Sequence, residues 1–488
     1  MLVDGENCCA IAPAERLSVI VDADDYFAAA RATFLRAERR IMLVGWDFDA
    51  RIRFGRNPDD GGPEELGRFL YWLVERTPDL ELYLLRWDFG ALKSLFRGRT
   101  LWTLLRWLRH PRIHVRLDSH HPTGSSHHQK IVAIDDRLAF CGGIDMTGDR
   151  WDTRSHRDEE PERVRPWGQP YKPWHDATTC FTGPAAEVVA NVARQRWRLA
   201  GGTPLDPVRA EGDPWPGALP VTVRDVKLAV ARTQPAMPDC DPVHEVERLF
   251  LAQIASAKRW LYCESQYFAS RRIAEAIARR LDEPDGPEIV IVNPLTAQGW
   301  LEPIAMDTAR ARLVAALQAR DRFKRFRLYH PFTAGGMPIY VHAKVTVVDD
   351  CSLRIGSANL NNRSMRLDTE CDVALDQLVQ DVDVTATIAA IRDDLLAEHL
   401  AVEPAQVTQR LAETGSLIAT VESLRGEGRS LYPYDVPDLP AVQRWLADNE
   451  VLDPESPDEL FEPLNGKGLF TGRHRRGRRR RLTPPQAA

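Results

Sequence analysis

Short apolar runs rich in β-branched residues alternate along this chain with longer stretches of helical period. Such runs, bounded by turn residues, predict strands at Ile41 to Gly45, Leu80 to Leu85, Ile113 to Leu117 and Lys130 to Ile134. Tyr26 to Arg39 predicts an amphipathic helix, because Phe27, Ala30, Phe34 and Ala37 fall on one stripe. The same order returns later, with a helix over Val243 to Ala257 and strands at Trp260 to Glu264, Ile289 to Val292 and Lys344 to Val348. Strands alternating with helices predict a layered α/β fold.

The recurrence extends to the residues themselves. HHQKIVAIDDRLAFCGGID, from His127 to Asp145, matches VHAKVTVVDDCSLRIGSAN, from Val341 to Asn359. Both read H-x-K-x4-D-x6-G-G/S-x-D/N. Ala37 to Phe48 resembles Ala257 to Phe268, and Glu81 to Asp88 resembles Glu288 to Leu295. Segments recurring in one order indicate a duplication, so the expected fold is two pseudo-symmetric halves, each a mixed sheet flanked by helices. We place the first half at 1–202 and the second at 221–402, joined by 203–220, which carries five prolines and no apolar period. Residues 403–472 form an accessory segment with a short helix expected at Val442 to Leu446, and 473–488 a basic tail expected to be disordered.

Composition sharpens this picture. With 488 residues, 44% of them apolar, the chain can bury more than one core. No run of 18 apolar residues occurs, so no transmembrane helix is expected, and Met1 to Pro13 does not read as a secretory signal. Net charge is −6, yet seven arginines lie between Arg473 and Arg481, so the body without them carries −13. An acidic body with a short cationic end argues against a general nucleic-acid binder. Eight cysteines are scattered without a CxxC pair, which suits reduced thiols in a cytoplasmic protein.

The repeated motif carries the candidate chemistry. On a strand, positions i and i+2 share a face, so His128 would project with Lys130, and His342 with Lys344. A buried cation costs free energy unless paired, so two such pairs at equivalent places are poor core filling. Two lysines and two histidines suit phosphodiester transfer. Lysines hold non-bridging oxygens. One imidazole attacks phosphorus, and the other protonates the leaving alkoxide and then deprotonates water. Their protonation states must differ, and carboxylates behind each ring would set them. His120, His121, His127 and His128 cluster in sequence but fit no standard metal spacing, and no metal or cofactor is expected.

The doubled motif resembles the phospholipase D superfamily, the HKD phosphodiesterases. Gly142 to Thr153, Pro173 to Ala186, Tyr262 to Phe268, Tyr340 to Asp350 and Gly356 to Glu370 resemble its two-motif phospholipase D branch. The resemblance implies one active site at the interface of the halves. It implies His128 as nucleophile and His342 as acid/base, with Lys130, Lys344 and Asn359 on the phosphate. Asp145 stands where the second motif has Asn359, a departure that points it elsewhere or onto a lysine. Ser357 and Gly143 occupy equivalent positions near the substrate. Asp135 and Asp349 complete the motif, and we read them as structural partners of backbone or basic groups. Glu370 matches the family's carboxylate behind the second histidine, and Asp176 is the candidate behind His128. Glu264 and Asp47 end equivalent strands, and Glu264 is a candidate lining residue.

The expected activity is a phospholipase D reaction. It would turn glycerophospholipid into phosphatidic acid and free headgroup alcohol through a phospho-histidine, with transphosphatidylation where an alcohol replaces water. A cardiolipin synthase-like transferase is the alternative, and a nuclease a weaker one. Expected partners are a phospholipid substrate at a membrane surface and anionic lipid at the arginine tail, at about 1 kcal/mol per basic residue near the surface. No nucleic acid is expected, a monomer is the default, and the expected place is cytoplasmic with peripheral membrane association.

Overall fold

The computed structural model describes residues 2–55, 59–88, 106–298 and 306–437. The arginine tail and the helix expected at Val442 to Leu446 lie outside the described residues. In the first half the strands are β1 (Ala10–Val21), β2 (Arg40–Gly45), β3 (Glu81–Trp87), β4 (Ile113–Asp118), β5 (Ile131–Ile134), β6 (Leu138–Gly142), β7 (Trp174–His175) and β8 (Ala177–Thr182). The second half supplies β9 (Val223–Gln234), β10 (Val243–His244), β11 (Trp260–Glu264), β12 (Glu288–Val292), β13 (Phe326–Phe332), β14 (Tyr340–Val341), β15 (Val345–Val348), β16 (Ser352–Gly356), β17 (Glu370–Asp376) and β18 (Ser430–Pro433).

The two half-sheets join edge to edge. The order is β4-β3-β2-β5-β6-β8-β1-β9-β17-β16-β15-β11-β12-β13-β18, with β10 on β9 and β7 paired to β14 apart from the main sheet. The seam is the antiparallel pair β1–β9, neither of which the hydrophobic pattern had marked. On either side of it the order of each half mirrors the other. The outer strands β2, β3 and β4 run parallel, as do β11, β12 and β13. Residues Ile41 to Val44 are all buried, as a strand covered on both faces requires.

Helices cover both faces. One face carries a core common to both halves, in which Tyr83, Phe181, Trp197, Tyr262, Tyr329 and Leu395 pack together. Helix Pro184–Leu199 from the first half and helices Thr385–Leu400, Pro404–Thr414 and Leu417–Leu424 from the C-terminal region all feed it. The segment expected to be accessory therefore packs, over 403–437, into the central core. On the opposite face each half has its own core, one built on helix Ala23–Phe34, the other on helices Glu245–Ser256 and Arg271–Asp282. The first helix stops at Phe34 rather than Arg39, because Glu38, Arg39 and Arg40 turn into β2 under the grip of Asp135. Residues 203–220 hold no regular element and are tied to the first half, where Arg137 donates to the Ala210 and Gly212 carbonyls and Arg16 pairs with Asp213.

Candidate active site

His128 and Lys130 lie in the extended lead into β5, and His342 and Lys344 in the lead into β15, rather than inside those strands as expected. In each pair the lysine Nζ donates to the histidine carbonyl, at 2.9 Å for Lys130. This folds each cation back beside its own imidazole. Far along the same strand sits the motif aspartate. Asp135 accepts the backbone N–H groups of Glu38, Arg39 and Arg40 at 2.7–2.8 Å. Asp349 accepts those of Lys258, Arg259 and Trp260 at 2.6–2.9 Å. Both are clasps on the turn before the neighbouring strand, consistent with the structural reading. A left-handed backbone (φ 53° and 50°) suits aspartate there.

The carboxylates behind the histidines are exchanged between the halves. His128 Nδ1 lies 2.9 Å from Glu370, which starts β17 of the second half. His342 Nδ1 lies 2.6 Å from Asp176, which precedes β8 of the first. The expectations that Asp176 backs His128 and Glu370 backs His342 are thus both corrected. The cause is in the backbone. β7 runs parallel to β14, so the His342 N–H donates to the His175 carbonyl at 2.8 Å. His127 bridges Thr369 in the same manner, and the His128 N–H donates to the Thr369 carbonyl at 3.0 Å. Each motif is stitched to the other half, and the next residue along, Asp176 or Glu370, falls behind the ring.

The differing residues Gly143 and Ser357 support these acids. The Ser357 hydroxyl donates to Glu370 at 2.6 Å and accepts the Cys371 N–H at 3.0 Å. At Gly143 a Cβ would stand 2.1 Å from Asp176 Oδ1, so glycine is needed for the carboxylate to reach His342. Asp145 takes the lysine alternative: its Oδ2 is 3.3 Å from Lys130 Nζ, and its Oδ1 accepts the Trp46 N–H at 3.0 Å. Asn359 is buried beside Gln266, to which it donates at 3.5 Å, and its side-chain oxygen accepts no hydrogen bond.

Glu264 is placed elsewhere, wholly buried against His175, His399 and the Tyr262 hydroxyl at 2.5–3.0 Å. The four clustered histidines also part company. His120 pairs with Asp239, His121 with Asp88 and His127 with Asp118, while only His128 faces the site. Trp174 stacks on Tyr340 and lies 5.2 Å from the His342 ring, while Phe48 and Phe268 belong to the core.

Burial dominates the electrostatics of the site. Burial, then Lys130 and Lys344, hold His128 well below its usual range. Burial, Lys344 and Arg150 do the same to His342. Burial also drops Lys344 to about 7 and raises Glu370 to about 8. Because ring and carboxyl share a hydrogen bond, that extra proton belongs to the His128–Glu370 pair. An entering phosphodiester monoanion would favour the charged forms of Lys130, Lys344 and Arg150. Arg150 was not singled out from the sequence. It is buried, 4.4 Å over the Trp174 ring, in the GDRWDT segment after the first motif. Its field on His342 marks it as a further cation of the site.

Comparison with known proteins agrees with this geometry. A family model described as "Cardiolipin synthase, PLD-like domain" matches residues 250–390. Phospholipase D A of Dictyostelium discoideum is 23% identical over 442 residues, covering 73% of this chain and 32% of that protein. Phospholipase D alpha 1 of Carica papaya is 22% identical over 477 residues, covering 70% of this chain and 58% of that protein. The chain thus spans less than two thirds of the length of these relatives. Among solved structures, the phosphatidylserine synthase of Haemophilus influenzae Rd KW20 shares the fold, with a TM-score of 0.53 at 14% identity over 79% of this chain and 88% of that one.

Proposed function

Because the chain is similar to phospholipases D over about 70% of its length, we propose that it is a phosphodiesterase of the phospholipase D superfamily whose substrate is a glycerophospholipid, cleaved to phosphatidic acid and free headgroup alcohol. The observation that carries the mechanism is the exchanged pair of His–carboxylate contacts flanked by two lysines. With Nδ1–H donated to Glu370, His128 Nε2 presents a lone pair to phosphorus. It forms the P–N bond as the P–O bond to the headgroup breaks. His342, held by Asp176, gives its Nε2 proton to that leaving oxygen. Neutral His342 then takes a proton from water, whose oxygen attacks phosphorus and releases His128. Lys130, Lys344 and Asn359 hold the non-bridging oxygens, where charge grows in each transition state. The His128 side chain is 13% exposed and that of His342 5%, which suits attack from the former.

An alcohol in place of water gives transphosphatidylation. When the alcohol is a phospholipid's own glycerol headgroup, the product is cardiolipin. That second reading is favoured by the description of the family model over residues 250–390. Among the described residues, no helix is long and apolar enough to cross a membrane. Peripheral attachment, aided by the arginines of 473–488, is part of the proposal. The test offers mixed vesicles of phosphatidylcholine, phosphatidylethanolamine and phosphatidylglycerol with ethanol, read by mass spectrometry. Phosphatidic acid and phosphatidylethanol are expected from the wild type, and neither from His128→Ala. Cardiolipin as main product selects the transferase. The absence of every lipid product, with cleavage of DNA or RNA instead, would overturn the reading. Removal of 473–488 is expected to weaken binding to anionic vesicles and to spare a soluble short-chain substrate.

A further inference from the structure

Behind Asp176, out of contact with His128, lies a second gathering of ligating atoms. Asp22 opens the helix Ala23–Phe34, His156 lies in the loop before β7, His175 is in β7, and Glu398 is in the last turn of Thr385–Leu400. All four are buried, at 5% exposure or less. One atom from each lies within 4.8 Å of the others. His175 Nδ1 and His156 Nε2 stand 2.8 and 3.0 Å from the same oxygen, Glu398 Oε1. They stand 3.3 and 3.4 Å from the two oxygens of Asp22. A tetrahedral zinc ion, with bonds of about 2.0–2.2 Å, sets neighbouring ligand atoms about 3.3 Å apart. The two contacts to Glu398 Oε1 are shorter than that edge, and the two to Asp22, one to each carboxylate oxygen, match it.

We propose that Asp22, His156, His175 and Glu398 bind a divalent transition-metal ion of the zinc class at a closed, structural site. Two observations support it. First, each imidazole spends its outer nitrogen on a different carboxylate. His156 Nδ1 goes to Asp152 at 3.0 Å, and His175 Nε2 to Glu264 at 2.8 Å. Those acids are themselves fixed, Asp152 by Arg163 and the Trp174 N–H, Glu264 by Tyr262 and His399. This is the outer shell that orients metal-binding histidines and leaves the inner lone pairs free. Second, Asp22 Oδ2 is buried at the centre of the group and accepts no hydrogen bond.

Imidazole and carboxylate ligands suit zinc, iron or manganese. All four ligands come from the protein, leaving no open position for substrate. The ion would tie three residues of the first half to the helix that closes the second. It would also hold Asp176, whose N–H donates to Asp22 Oδ1 at 3.1 Å, against His342.

The test is elemental analysis of the full chain, freshly purified and dialysed against metal-depleted buffer. About one equivalent of transition metal per chain is expected. Asp22→Asn, which keeps the volume, should lower the content about tenfold. His120→Ala, in the partly exposed group with Asp239 and Cys240, should keep it. Chain unfolded in guanidinium with chelator and refolded should regain its melting temperature on addition of zinc. With cobalt instead it should show the intense visible bands of a tetrahedral site, absent in Asp22→Asn. A wild-type chain that carries no transition metal, and gains no thermal stability from zinc, cobalt or manganese after refolding, overturns the site. The network is then an ion cluster balanced by protons. These readouts use metal content and stability, so they stand or fall apart from the choice of lipid substrate.

Discussion

Replacing Asp176 by Asn tests the exchange of carboxylates between the halves. The substitution keeps shape and removes charge 2.6 Å from His342 Nδ1. A hydrogen bond between charged partners contributes about 1.5–3 kcal/mol, more than a neutral one. His342 must hold its proton when the headgroup leaves, and that is when the lost interaction acts. At about 1.4 kcal/mol per decade, the expected loss is roughly 10- to 150-fold in the step that His342 serves. With a natural alkoxide leaving group, that step is formation of the phospho-enzyme. With a p-nitrophenyl ester, which departs without a proton, formation should be spared and hydrolysis slowed. The covalent phosphate on His128 should then accumulate after rapid alkaline quench and be visible by mass spectrometry. Glu370→Gln should behave in the opposite way, slowing formation with both leaving groups, because Glu370 serves the attacking ring. Gly143→Ala should imitate Asp176→Asn, since its Cβ would stand 2.1 Å from Asp176 Oδ1. Equal slowing of both leaving groups by Asp176→Asn, with no accumulation, would refute the pairing.

Ser357→Ala removes the hydroxyl that steadies Glu370 at 2.6 Å, and about 0.5–1.5 kcal/mol predicts a 2- to 10-fold loss of kcat with little change in KM. An unchanged kcat would show that Glu370 needs no such support. Asp349→Asn weakens a clasp of three backbone donors outside the site, so chemical denaturation should show a loss of about 1–2 kcal/mol, with kcat of the folded enzyme held within about twofold. A kcat collapse with intact stability would contradict the structural reading. Glu370 is raised from 4.5 to about 8, so the folded state holds a proton that the unfolded chain releases. Its stabilisation is full below about 4.5 and is lost as pH rises through about 8. His128 and His342, held below their ordinary 6.5, add an opposite, rising slope, so the prediction is a difference: in urea unfolding from pH 5 to 8 the wild type should lose stability relative to Glu370→Gln, and parallel curves would count against the assignment.

The sequence by itself determined the duplication, because a motif and its flanking strands recur with nearly constant spacing. It placed seven of the eighteen described strands within two residues, since buried strands read as unbroken apolar runs such as Ile41 to Val44. It also singled out the two His–Lys pairs and the motif aspartates Asp135 and Asp349, which accept backbone N–H groups. Local spacing carries all of that. The seam strands β1 and β9 escaped because their apolar positions are diluted by charged and alanine residues, and only pairing along the seam makes them strands. Tertiary structure alone decided which carboxylate stands behind which histidine. His128 and Glu370 are 242 residues apart, and His342 and Asp176 are 166 apart. Nothing in either local segment fixes those partners; the backbone stitches at His127–Thr369 and Val341–His175 do. For the same reason Glu264, read from its strand end as a lining acid, belongs to the buried cluster with His175 and His399. A strand end fixes where a side chain starts, and only the packing of both halves fixes which charges it must meet.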